Sequence, residues 1–175
     1  ELSEVPVAAV ADAVRRFADH DATSGRLAVL GKSRGSELAG LLATRVDAIE
    51  AYVGVAPSGI AFEGLDSRNQ TTGTSAWAID GEPTPFVPID EDAITADPIE
   101  IADSYVGGID ATDDERVANA ELLDGFDGTV LLVAGEDDRL WRSARLARRL
   151  AGRLADGPAS VRLETYADAG HAISP

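Results

Sequence analysis

The 175-residue sequence contains no cysteine, one lysine (Lys32) and two histidines (His20 and His171). Without cysteine there is no disulfide, no thiolate nucleophile and no cysteine-bound metal. The histidines form no His-x-x-x-His pair, so neither a zinc site nor any other resident metal or cofactor is expected. No run of about 18 apolar residues occurs, and nothing is expected to span a membrane. The opening ELSEVPVAAV lacks the basic start of a secretory signal, which favours a cytoplasmic location. Cations are scarce: 15 Lys and Arg stand against 31 Asp and Glu, for a net charge of −16. Nothing broad could neutralise phosphates, which excludes a nucleic-acid partner. Acidic chains with few aromatics can be disordered. Here apolar residues make up 45% of the chain and are patterned, which is enough for one folded core. The surplus of carboxylates then belongs to a hydrated surface whose self-repulsion salt screens, a composition resembling that of proteins from salt-loving organisms.

What is present reads as alternating strands and helices. Ser3 is a candidate cap for a first helix holding Pro6 in its first turn, with Val7, Val10, Ala11, Val14, Phe17 and Ala18 at helical spacing. A short strand over 26–31, a helix over 37–46 and a strand over 49–59 follow. TVLLVAG (129–135) has the unbroken apolar run of a strand covered on both faces. A helix over 141–155, with Leu146, Leu150 and Leu154 on one side, precedes a last strand in SVRLETYADAGH. Such alternation predicts a parallel sheet flanked by helices. Residues 60–125 break the rhythm. They are rich in turn formers, acidic over 110–115, helical toward their end, and expected to form an insertion that is either a binding element or a packed surface loop. The acidic run lacks the glycine and distal glutamate of a calcium loop.

The segment LAVLGKSRGSELAG joins an apolar run to a helix-forming run through Gly31-Lys32-Ser33-Arg34-Gly35. A serine hydroxyl needs a base in reach, and the base needs an orienting partner. A Gly-x-Ser-x-Gly turn between strand and helix exposes such a serine. The glycines permit close backbone approach. The Arg34 N–H, at the positive end of the helix, is a candidate oxyanion donor. LLVAGEDDRLW places Asp138, with Asp137 as competitor, just past a strand, and DAGHAISP places His171 on a loop after the last strand. Ser33, Asp138 and His171 follow in the order Ser…Asp…His, each at a strand end where open parallel sheets gather their reactive groups. His20, in ADHD, reads as a surface residue.

Several stretches carry a resemblance: LAVLGKSRGSELAGLLAT, IEAYVGVAPSGIAFEG, TSAWAIDGEPTPFVP, DPIEIA, GTVLLVAGEDDRLWRS and YADAGHAISP. Together they resemble the C-terminal catalytic domain of the acyl-CoA thioesterase and bile acid-CoA:amino acid N-acyltransferase family, from residue 26 onward. The Ser-x-Trp…Gly-x-Pro-x-Pro-Phe-x-Pro element is more telling than the serine motif. The resemblance implies an α/β-hydrolase fold with Ser33 as nucleophile, Asp138 rather than Asp137 as acid, and His171 as base. The acyltransferase branch typically carries a cysteine, so Ser33 points to hydrolysis. Arg142 stands where the family usually has proline. The chain lacks the family's N-terminal β-sandwich and the early strands of the hydrolase core, with the loop that gives the second oxyanion N–H.

The expectation is therefore one α/β-hydrolase-like domain over 1–175, N-terminally truncated, with an insertion at about 60–125. Its substrate would be a small-molecule acyl thioester, cleaved through Ser33, Asp138 and His171. Trp77 and Phe86, with Pro83 and Pro85, are candidates for the acyl pocket. Arg145, Arg148, Arg149 and Arg153 either form a solvated helix face or attract the phosphates of the leaving group. The open alternatives are a carboxylesterase or dienelactone-hydrolase-like enzyme, and a catalytically weak module for binding or assembly. Absent early strands would expose apolar sheet, which another segment or a homo-oligomer would cover.

Overall fold

A computed structural model of the chain describes residues 1–96 and 99–173. In chain order the elements are β1 (Val5–Pro6), α1 (Val7–Ala18), β2 (Leu27–Lys32), α2 (Arg34–Ala43), β3 (Ile49–Val55), β4 (Glu63–Leu65), β5 (Thr71–Ser75), β6 (Trp77–Ile79) and β7 (Glu82–Pro83). There follow β8 (Thr95–Ala96), β9 (Ile99–Glu100), α3 (Ala102–Ala111), α4 (Asp114–Asn119), β10 (Thr129–Gly135), α5 (Ser143–Leu154) and β11 (Ser160–Tyr166). The start of the DPIEIA stretch and the last two residues of YADAGHAISP lie outside the described residues.

The centre is a four-stranded, wholly parallel sheet in the order β11-β10-β3-β2. Its register fixes the side-chain rows: Val29, Tyr52, Val130 and Val161 share one face, and Leu30, Val53, Leu131 and Arg162 the other. The first face meets α2 and α5. Tyr52, Val130, Leu132 and Ala134 are buried there against Ala39, Leu42, Ala147 and Leu150. The opposite face differs from expectation. Among the described residues no helix covers it, so Val53, Val55, Leu131 and Val133 are half-buried and Leu30 is 66% exposed. The apolar run of β10 is thus covered on one face.

Several boundaries also move. Ser3 caps no helix; its hydroxyl reaches Thr72. Val5 and Pro6 instead pair in parallel with Trp77 and Ala78, and α1 starts one residue beyond. α2 begins at Arg34, directly after the serine, because Ser36 N–H bonds back to the Ser33 carbonyl and closes the first turn there. α5 begins at Ser143, leaving Trp141 in a turn. Among its described residues the insertion is built from regular elements. It holds short hairpins, α3 and α4, and an apolar cluster in which its Ile60, Phe62, Val87, Tyr105 and Val117 pack with Trp141. Its helical part lies over 102–119 and the ELLDG end is not helical, with Leu122 and Leu123 packed into the main core instead. Residues 110–115 are largely exposed, and Asp113 caps α4 by accepting from Arg116 N–H.

Candidate active site

The site is assembled at the carboxyl ends of β2 and β10 and on the loop after β11. β2 runs into α2 with no intervening residue except Ser33, whose backbone is forced to φ 55° and ψ −132°. A non-glycine residue held there costs about 1–3 kcal/mol, which the surrounding structure must offset. Gly31 makes the turn possible: a Cβ there would lie 2.2 Å from the Gly35 carbonyl oxygen. Gly35, by contrast, faces open space, so its lack of a side chain is not what lets the turn close. The Ser33 N–H donates to the Val55 carbonyl (2.9 Å). The Arg34 N–H opens the helix and has no acceptor among the described residues.

Asp138 sits on the turn after β10 and is 1% exposed. Its Oδ1 accepts the N–H groups of Leu140 (2.9 Å) and Trp141 (3.3 Å), and its Oδ2 that of Ser143 (3.3 Å). Burial raises its pKa, but hydrogen bonds from His171, Ser143 and Leu140 outweigh burial and bring it to about 2. The neighbouring Asp137 points outward to Arg139 (3.3 Å). The His171 loop crosses closely over β10, where a Cβ on Gly135 would meet the Ala169 carbonyl at 2.2 Å. Lys32, the lone lysine, anchors that loop by donating to the Ala172 carbonyl (2.9 Å). His171 Nδ1 lies 2.9 Å from Asp138 Oδ2, and its Nε2 lies 2.8 Å from Ser33 Oγ. An ionised Asp138 only accepts, so Nδ1 carries the proton and Nε2 offers a lone pair to the serine hydroxyl. Trp141 holds the imidazole edge-on at 5.3 Å between ring centroids.

Beside Ser33 lies a cavity of about 400 Å³, walled mainly by apolar groups that include Leu65, Ile89, Ile94, Ile101, Leu140 and Trp141. Ile94, Ile101 and Leu140 are among the few large apolar side chains the chain leaves exposed. The pocket residues expected from sequence lie elsewhere. Trp77 is buried in the main core, its indole N–H donating to Glu37 Oε2 at 2.8 Å. Phe86 lies under the Arg116 guanidinium at 5.0 Å, in a separate shallow hollow with Pro83 and Pro85. Neither lines the cavity at Ser33: Trp77, on β6 beside α1, packs into the main core, and Phe86 lies beyond the β6–β7 hairpin against Arg116. The arginines of α5 are also committed. Arg145 pairs with Asp110, Arg148 with Glu136, and Arg149 and Arg153 with Glu121, which makes them a solvated ion-pair face.

Sequence reading missed Glu37. It is fully buried, pairs with the Arg34 guanidinium (3.1 Å) and accepts from Trp77. Arg34 in turn donates to the carbonyls of Phe62 and Glu63, tying the serine helix to the insertion. Burial pushes the Glu37 carboxyl up to about 7 against the pull of Arg34, Trp77 and the Phe62 N–H. A carboxylate three residues into a helix reads as an ordinary first-turn acid, so only the packing reveals it.

A parallel sheet whose strand ends carry such a serine turn, acidic turn and histidine loop has the α/β-hydrolase architecture. Acetyl xylan esterase 1 from Thermoanaerobacterium sp. JW/SL YS485 shares the fold, with a TM-score of 0.50 at 16% identity over 94% of this chain and 45% of that one. An esterase from Pyrococcus furiosus is similar with a TM-score of 0.49 at 14% identity, over 94% of this chain and 52% of that one. The chain thus spans about half the length of these solved structures. No curated protein matches it significantly. The chain belongs to the BAAT / acyl-CoA thioester hydrolase C-terminal family, whose pattern matches residues 7–175. The family match and the shared architecture agree on an α/β-hydrolase type of fold.

Proposed function

We propose that the chain is a serine hydrolase of acyl-CoA thioesters, with Ser33 as nucleophile, His171 as general base and Asp138 as its orienting acid. The observation that carries this reading is the continuous hydrogen-bonded line from Ser33 Oγ through His171 to Asp138, at 2.8 and 2.9 Å. In the first half-reaction His171 Nε2 takes the Ser33 proton as Oγ attacks the thioester carbonyl. Asp138 stabilises the imidazolium that forms. The tetrahedral intermediate collapses with cleavage of the C–S bond, and the thiolate takes the proton from His171. Water, deprotonated by His171, then releases the acid and frees Ser33. The Arg34 N–H is one oxyanion donor. The apolar cavity beside Ser33 is suited to the acyl group. The family supports a thioester as substrate; the site chemistry would serve an oxygen ester equally.

Two measurements test it. A fluorophosphonate probe should label Ser33, and labelling should vanish in Ser33→Ala. Absence of label, or label that survives the substitution, overturns the assignment. Hydrolysis of octanoyl-CoA should then exceed that of 4-nitrophenyl octanoate in kcat/KM; the reverse order would make the chain an oxygen-ester esterase.

A further inference from the structure

The cavity beside Ser33 is apolar except for a few groups, and nearly all of these are engaged. The Arg34 guanidinium holds Glu37 and two carbonyls. Ser104 Oγ donates to the Ile101 carbonyl (2.6 Å), and Trp141 Nε1 to that of Ala56 (3.1 Å). Asn69, Thr71 and Glu91 lie at the outer rim, where Glu91 accepts from Thr71 N–H. Tyr105 is different. Its side chain comes from α3, is 7% exposed and lines the same cavity as Ser33 and Arg34. Its hydroxyl has no hydrogen-bond partner among the described residues, and yet it is not sealed in protein. A phenol O–H that no described protein group engages, on a side chain lining the cavity, is available to donate to a ligand there.

The ring is also held rigidly. It stands edge-on to Phe62 at 5.0 Å and 80°, and to Trp141 at 5.6 Å and 89°. Trp141 in turn abuts His171. The hydroxyl is therefore fixed relative to the Ser33–His171 pair before any ligand arrives, as an electrostatic stabiliser must be. Burial raises the phenol pKa, so it keeps its proton throughout the working range.

We propose that Tyr105 is a catalytic residue, its hydroxyl donating to the carbonyl oxygen of the substrate's acyl group and forming with the Arg34 N–H the oxyanion site. The inference rests on Ser33 being the nucleophile. As Ser33 Oγ bonds to the carbonyl carbon, the π-electron pair moves to oxygen and the Ser33 proton moves to His171. The oxyanion is then held by two donors, and Tyr105 keeps its own proton throughout. When the C–S bond breaks, the carbonyl re-forms and both hydrogen bonds weaken.

The test is Tyr105→Phe, which removes one oxygen and leaves the ring packing in place. With octanoyl-CoA, kcat should fall by about 10²–10³ with KM changed less than threefold, the usual cost of one oxyanion donor. Thermal unfolding should match the parent within about a degree. A kcat within twofold of the parent overturns the proposal. So does a raised KM with kcat unchanged, which would make the hydroxyl a ground-state contact only. If the parent chain itself shows no hydrolysis that Ser33→Ala abolishes, the nucleophile assignment falls and this inference falls with it. Intact Ser33-dependent turnover with an unaffected Tyr105→Phe overturns this inference alone.

Discussion

The two faces of the central sheet are built from the same kinds of residue and end in different environments. On the face toward α2 and α5, Tyr52, Val130, Leu132 and Ala134 are no more than 2% exposed. On the other, Val53, Val55, Leu131 and Val133 are half-buried, and Leu30 stands open on the edge strand. Side chains alternate across a strand, so adjacent letters of TVLLVAG go to opposite environments. Apolar character in a strand therefore states what the residue could bury, whereas the neighbouring elements decide what it does bury. The covered face also holds a buried carboxyl, Glu37, and leads at its strand ends into the serine turn and the buried Asp138.

The comparison can be broken at four points. Leu132→Ala, in the sealed core, should cost about 2–5 kcal/mol in urea unfolding, through lost burial and the cavity left behind. Glu37 should make stability pH-dependent. Its carboxyl rises from 4.5 unfolded to about 7 folded, so its contribution is complete below about pH 4.5 and is lost as pH rises through 7. That loss is roughly 3 kcal/mol at 1.36 kcal/mol per unit. In Glu37→Gln the change in unfolding free energy between pH 5 and pH 8 should shrink accordingly. Asp138 acts in the opposite sense. Its pKa falls from 3.8 to about 2, so the stability it adds is present above pH 4 and disappears as pH drops toward 2, by about 2 kcal/mol. Asp138→Asn should flatten the acid limb of the stability curve. Smallest is Leu30→Ala on the open face, expected to cost under about 1 kcal/mol, as exposed substitutions do. A loss above about 2 kcal/mol that grows with protein concentration would show instead that a second copy covers this face, which is the homo-oligomer the sequence leaves open.

Much of the site was legible because its chemistry is local. The glycine-serine turn, the acidic turn after an apolar strand and the late histidine each announce a strand end. Their order suffices to propose that they meet, and the structure brings Ser33, Asp138 and His171 together. The choice of Asp138 over Asp137 could not be read from spacing, since adjacent residues share a turn and differ only in direction. What failed was the pocket. Trp77 and Phe86 stand in a conspicuous run of prolines and aromatics, but where a hairpin packs depends on contacts far away in the chain. Trp77 is drawn inward by Glu37, and Phe86 is held outside under Arg116. The residues that do line the cavity, Leu65, Ile89, Ile101, Tyr105 and Leu140, come from four separated stretches with no shared pattern.

The sequence alone determined the alternation of strands and helices, the acidic surface, the absence of thiol chemistry, and a serine placed between a strand and a helix. These follow from composition and from periods of two and 3.6, which act over a few residues. Only the tertiary structure decided which face of the sheet is covered, which aspartate meets the histidine, which side chains wall the cavity, that Glu37 is buried, and that the Tyr105 hydroxyl is unbonded among the described residues. Those are properties of contacts between residues distant in sequence. Packing settles them, because a buried polar group is stable only with a partner and an apolar one only with a neighbour to cover it.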